Sequence, residues 1–96
     1  MTNKFEITPS SVAKMHEYGI PEYMQDAIIC YYENGIPPDD FLSAVIDNDL
    51  KKAIERADDV NVNCLKAYVM WFHNQAPSGS WGHAGAVKDW ISGSKQ

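Results

Sequence analysis

Proline and glycine residues divide this chain into short segments, and that division is the strongest constraint on its fold. The segment TPSSVAKMHEYG has Thr8 as an N-cap, Pro9 at the first helical position and Gly19 as a left-handed stop. The next segment, IPEYMQDAIICYYENG, repeats this pattern between Pro21 and Gly35. Its apolar side chains recur at the spacing of one helical face: Met24, Ala27, Ile28, Tyr31 and Tyr32. Both segments are predicted to be helices.

The middle of the chain predicts two more short helices, one on each side of the tripeptide Asp-Asn-Asp at 47–49. After Pro37 and Pro38, one apolar helical stripe contains Phe41, Leu42, Val45 and Ile46. The tripeptide is expected to end this helix and to cap a second one over LKKAIERA. In the second helix, four apolar side chains are expected to face inward: Leu50, Ala53, Ile54 and Ala57. A single bent helix over residues 39–57 is the alternative.

The longest apolar stretch, from about residue 59 to residue 75, predicts a buried helix at the centre of the fold. This helix is capped near Asp58 or Asp59, ends before Pro77, and is apolar on almost all sides. A short final helix is expected to end at Gly93 and to place three side chains inward: Val87, Trp90 and Ile91.

Length and composition fit a single all-α domain. Its 96 residues predict one compact domain of five or six short helices around the central helix, with frayed ends at 1–7 and 93–96. No apolar run reaches the roughly 18–20 residues that span a membrane, and the first residues lack a signal peptide's apolar region. Cys30 and Cys64 are therefore expected to stay reduced in a cytoplasm, without a disulfide.

The charged and nucleophilic residues form no pattern of an enzyme or a metal site. A net charge of −5 argues against direct binding of nucleic acid, which needs clustered Lys and Arg. The sequence contains no nucleophile motif, no phosphate-binding glycine loop and no zinc-ligand spacing. The aspartate pairs at 39–40 and 58–59 stand at predicted helix starts, where carboxylates act as caps. The prediction is a non-catalytic protein with no cofactor and no metal.

A cationic cluster in the fourth predicted helix supplies two candidate binding residues. Lys52 and Arg56 lie there with Lys51, and the guanidinium fork of Arg56 suits a bidentate contact with a phosphate. The alternative is a solvated helix face on which Glu55 and Asp59 partner these cations.

Two asparagines and a loop tryptophan complete the candidate site. Asn63 and Asn74 lie on one polar stripe of the long helix, where their amides either read the edge of a base or are simply exposed. Trp81 stands in NQAPSGSWGHAG, residues 74–85, a loop rich in glycine and small residues. It either folds back as a lid on the core or forms the wall of a site, where it stacks on a ligand or partner.

A set of short motifs covers most of the chain, from about residue 21 to residue 91. The motifs are Gly35-Ile36-Pro37-Pro38, Phe41-Leu42, Asn48-Asp49-Leu50, Arg56-Ala57-Asp58, Asn61, Tyr68-Val69, Asn74, Ala76-Pro77, Trp81-Gly82 and Trp90-Ile91. Together they resemble a family of small, largely uncharacterised proteins of tailed bacteriophages and prophages. The resemblance implies a phage origin and a place in the host cytoplasm, and it implies no activity. The family has Ser-Pro after Trp-Gly, whereas this chain has His83-Ala84, so its last helix is expected to start less firmly.

Two functions are compatible with these features. The first is counter-defence by binding and sequestering a small host nucleotide signal, with a phosphate contact, amides for base edges and a stacking tryptophan. The alternative is an acidic inhibitor that docks on a host nuclease or another basic protein surface. A homo-oligomer is also expected, because a core this small should not hide so many aromatic side chains: Tyr23, Tyr31, Tyr32, Trp71, Trp81 and Trp90.

Overall fold

Residues 7–77 and 79–94 are described by the computed structural model, and they form seven helices and no strand. The helices are α1 (Pro9–Tyr18), α2 (Glu22–Asn34), α3 (Asp40–Ile46), α4 (Leu50–Arg56), α5 (Asp59–Val62), α6 (Leu65–Gln75) and α7 (Ala86–Ser94). The predicted all-α class is confirmed. The described residues contain more helices than the five or six predicted, because the long central helix is divided.

The caps that were read from the sequence define the first two helices. The Thr8 hydroxyl accepts a hydrogen bond from the Ser11 amide at 3.1 Å and so caps α1. Gly19 ends α1 in the left-handed conformation, with φ of 96°, and Gly35 ends α2 with φ of 67°. Glycine adopts this conformation without steric cost, which is why both helices stop where predicted.

The tripeptide at 47–49 separates α3 from α4, so the predicted break is correct and the single bent helix is wrong. Asp49 caps α4 by accepting a hydrogen bond from the Lys52 amide at 3.1 Å. Asn48 has φ of 61° and is the one non-glycine residue with a positive φ among those described. Asp47 accepts a hydrogen bond from the Val87 amide at 2.9 Å. This side chain therefore caps the first turn of α7, which has no local Ser-Pro start.

The predicted inward face of α4 is wrong in part. Ala53 is fully buried, but Leu50 is 69% exposed and Ile54 is also exposed. The helix packs on α3, and the small side chain of Ala53 lets the two helices approach closely. The two branched side chains are left on the solvent side of that contact.

The predicted central helix over 59–75 is divided at Asn63 and Cys64 into α5 and α6. The Asn63 side-chain amide donates to the Asp59 carbonyl at 2.8 Å, a local bond that competes with the helical backbone. Nor is α6 buried on all sides, because Val69 is 47% exposed and Met70 is 38% exposed. Its buried face packs into the core through Ala67, Tyr68, Trp71 and Phe72.

One hydrophobic cluster joins residues from Ile7 to Ala86 and holds most of the aromatic side chains. Tyr31, Tyr32 and Trp71 are completely buried, and Tyr23 is the exposed one at 60%. Trp81 and Trp90 are partly buried, so these aromatic side chains do not decide the oligomeric state, and the homo-oligomer stays a prediction. The large apolar side chains that remain exposed are otherwise aliphatic: Ile36, Leu50, Ile54, Val60, Val62, Val69 and Met70.

The folded part of the chain extends further toward both ends than predicted. Ile7 is buried and its amide donates to the Glu33 carboxylate at 3.0 Å, while α7 continues through Gly93 to Ser94. The rest of the predicted frayed ends, 1–6 and 95–96, lies outside the described residues. Cys30 and Cys64 are free thiols, and both are half-buried. No helix in the described ranges combines the length and apolar character needed for a membrane crossing.

Candidate functional site at Trp81

Buried hydroxyl groups on the core side of the Trp81 loop hold the loop in place. The Ser80 side chain is almost fully buried and donates to the Pro77 carbonyl at 2.7 Å. The same oxygen lies 3.0 Å from the Tyr32 hydroxyl, and the Tyr31 hydroxyl donates to the Ser80 carbonyl at 3.2 Å. Burial raises the pKa of both tyrosines, so their hydroxyls stay protonated as donors.

Backbone contacts close the loop from the other side. The Gly82 amide donates to the Ile46 carbonyl at 2.6 Å, and Gly82 has φ of 85°, which favours glycine at this close approach. The two ring nitrogens of His83 lie 3.1 Å from the carbonyl oxygens of Gly79 and Ala84. These two carbonyls, Gly79 first, raise the pKa of His83 above its ordinary value. The loop is thus fixed by bonds that do not involve the Trp81 side chain.

Trp81 itself is half-buried and stacks on the buried ring of Phe72, with centroids 5.5 Å apart and an interplanar angle of 25°. The indole groups of Trp71 and Trp90 each donate to a backbone carbonyl at 2.9 Å. The Trp81 indole N–H has no such partner among the described residues. No buried side-chain nitrogen or oxygen there lacks a hydrogen bond, so this N–H reaches the solvent. Trp81 both covers the core and presents a free donor.

Trp81 lines an open groove of about 610 Å³ between α3, α6 and the loop. Its lining residues are Val45, Asn48, Val69, His73, Ala76, Gly79, Trp81 and Gly82. The lining combines two valines with an asparagine, a histidine and the tryptophan. No Lys, Arg, Asp or Glu of the described chain lines it. Small-molecule sites have this mixture and a volume of about 300–1,000 Å³.

The structure does not bring the five predicted site residues together. Trp81 lines this groove, whereas Asn63 lines a separate one of about 430 Å³ beside Tyr18 and Met70. The other three residues, Lys52, Arg56 and Asn74, line neither groove.

The remaining candidates make local contacts instead. The Asn74 amide donates to the Met70 carbonyl one turn earlier, at 2.9 Å, and so satisfies its own helix. Arg56 Nη1 lies 4.0 Å from Asp40 Oδ2, with both side chains more than half exposed. A pair at this distance and exposure contributes little to stability. The ion-pair partner of Arg56 is thus Asp40 on α3, and not the expected Glu55 or Asp59.

Asn48 and His73 are the polar lining residues that the sequence did not single out as ligands. Asn48 could have been noted, because asparagine is among the residues other than glycine that most readily accept a positive φ in a break such as 47–49. The anchoring role of Tyr31 and Tyr32 also had a signal. A buried tyrosine requires a hydrogen-bond partner that phenylalanine would not, and Ser80 supplies it.

A search of known protein families, curated proteins and solved structures finds no match for this chain. The resemblance to phage proteins therefore remains a prediction from the sequence. Within the described ranges, no group of three or more His, Cys, Asp or Glu side chains is placed to hold a metal ion.

Proposed function

We propose that this protein is a non-catalytic binding protein that holds a small planar ligand against Trp81. The observation that carries the proposal is the Trp81 indole, which lines the groove, is fixed by its loop and is backed by Phe72, with its N–H open to solvent. A half-buried aromatic ring on a rigid support stacks on planar ligands without a large ordering cost. The nearby amide of Asn48 and imidazole of His73 supply hydrogen bonds for the ligand's edge.

The ligand that fits this chemistry best is the base of a nucleotide. A base has a stacking face and an edge of donors and acceptors, which match the indole, the amide and the imidazole. Because no Lys or Arg of the described residues lines the groove, the phosphates of such a ligand would extend into solvent. The resemblance to phage proteins adds the proposed setting, in which the protein sequesters a host nucleotide signal in the host cytoplasm.

Calorimetric titration with cyclic and linear nucleotides tests this proposal. Trp81→Ala should weaken binding by about tenfold to a hundredfold, the usual worth of one stacked base. Its thermal melt should show that the variant remains folded, with a smaller loss of stability than the roughly 3–5 kcal/mol of a fully buried tryptophan such as Trp71.

Arg56→Ala is the matched control, because Arg56 lies outside the groove. It should leave both the affinity and its salt dependence unchanged. If Arg56→Ala lost as much nucleotide affinity as Trp81→Ala, the cationic cluster would have to contact the ligand as well. If the wild-type protein bound none of the nucleotides, a nucleotide ligand would be rejected.

A further inference from the structure

A second groove opens directly beside the Trp81 groove, between α4 and α6. It is lined by Ala44, Val45, Asn48, Asp49, Leu50, Ala53, Leu65 and Val69. Three of these residues, Val45, Asn48 and Val69, also line the Trp81 groove. The two grooves therefore adjoin, and their lining follows α6 from Leu65 to its C-cap Ala76. We call the two adjoining grooves together the α6 channel.

The α6 channel has an apolar surface that the chain itself leaves uncovered. Leu50 and Val69 stand on opposite sides, one on α4 and the other on α6, and both are exposed. Between them, Ala44 and Ala53 are buried residues with small side chains. A groove with projecting aliphatic walls and a floor of small residues accepts the ridge of side chains on another helix.

Charge narrows the kind of helix that fits. Asp49 lines the channel, and no Lys or Arg of the described residues does so. One oxygen of this carboxylate caps α4, and the other has no hydrogen-bond partner among the described residues. The whole chain carries a net charge of −5. The cations of α4, Lys51, Lys52 and Arg56, line neither groove. The Asp49 carboxylate and the net charge of the chain therefore favour a partner with positive groups beside its apolar face.

We propose that the α6 channel binds an amphipathic helix of a partner protein, with an apolar face flanked by Lys or Arg. The channel follows α6 over a length of about 17 Å, enough for a helix of about eleven residues. An extended strand would fit less well, because the channel walls are mainly helices, whose backbone groups are bonded internally. This protein-binding surface goes beyond the small-ligand site at Trp81, although the two share residues.

Fluorescence anisotropy with two designed peptides tests the proposal. Each peptide has about 14 residues, or about four helical turns, with leucines at i, i+3, i+4 and i+7. One peptide has lysines beside the leucines, and the other has glutamates in their place. The lysine peptide should bind at least about tenfold more tightly. Asp49→Asn keeps the helix cap, since asparagine is also a good N-cap, and should reduce that preference.

Neighbouring residues of α6 supply a matched pair of variants. Val69→Asp changes a channel wall, whereas Met70→Asp changes an exposed residue that lines another groove. The first should weaken binding of the lysine peptide by about tenfold or more, and the second should not. Leu50→Asp should act like Val69→Asp, because it lies at the first position of α4, where aspartate is tolerated.

Three results would overturn the proposal. They are equal binding of the two peptides, equal effects of Val69→Asp and Met70→Asp, and a wild-type dimer that Leu50→Asp converts to monomer. The last result would identify a second copy of this chain as the occupant. The proposed nucleotide site is judged separately, because Trp81→Ala should weaken nucleotide binding by about tenfold to a hundredfold while Leu50→Asp should leave it intact.

Discussion

His83 closes the Trp81 loop through both of its ring nitrogens, and only the charged imidazolium can donate two hydrogen bonds at once. The carbonyls of Gly79 and Ala84, with smaller contributions from Asp89 and Asp47, raise its pKa above the ordinary 6.5. A pKa raised by folding means that the charged form stabilises the folded state. The contribution is complete below about pH 6.5 and is lost as the pH rises through the raised pKa.

We therefore expect the free energy of unfolding to fall as the pH rises above about 6.5, and His83→Gln to flatten that change. Urea titrations of both proteins at several pH values measure the difference. An NMR titration of the His83 ring provides the direct check. A midpoint at or below 6.5 would show that the two carbonyls do not hold the imidazolium.

For single residues, the sequence offered Trp81 as a candidate wall of a site but did not indicate its neighbours in the groove. Trp81 was recognisable because a large aromatic side chain among glycines needs a reason. Its neighbours could not be predicted, because Asn48 is far from Trp81 along the chain, and both Asn48 and His73 line its groove only after α3, α6 and the loop pack. The placement of the α4 cations was equally unpredictable, since the outward side of α4 depends on how Ala53 meets α3.

Among the helices, α7 depends on a residue outside itself. Its first turn has the Asp47 carboxylate as a cap, although Asp47 follows α3. Asp47→Ala should reduce the free energy of unfolding by about 1 kcal/mol, the usual worth of a capping side chain. The loss should appear in urea titrations, and hydrogen exchange should be faster at the Val87 amide.

Asp40→Ala is the control for this prediction. The Asp40 carboxylate is exposed and makes only a long contact with Arg56, so its removal should change stability by less than about 0.5 kcal/mol. Equal losses in the two variants would mean that general charge, and not the cap on α7, is responsible.

Helix ends with a proline, a glycine or a capping aspartate were predictable, because the signal lies in the residue itself. The break between α5 and α6 was not, since an apolar run continues across it. There the decisive bonds come from side chains: Asn63 donates to the Asp59 carbonyl, and the buried Asn61 accepts from the Tyr68 hydroxyl at 2.6 Å. An asparagine in an apolar run fits a helix or a turn equally well until its partner is known.

For the molecule as a whole, a single hydrophobic cluster predicts a single unfolding transition. The cluster includes residues from α1, α2, α3, α4, α6 and α7, so no helix has a separate core. Urea curves from far-UV circular dichroism, which should show a helical spectrum, and from tryptophan fluorescence should therefore coincide. Two separated transitions would show that part of the fold opens independently.

Because the Trp81 loop is anchored by Ser80 and the tyrosine hydroxyls, its support is separate from the groove side chains that the proposed ligand would meet. His73 and Val69 line the groove and contribute nothing to that anchor. Substitutions at these two surface positions should therefore change which ligand the proposed site binds, while the anchor of the Trp81 loop stays the same. Descendants of such a chain can diverge in specificity by surface replacements alone, without passing through unstable intermediates.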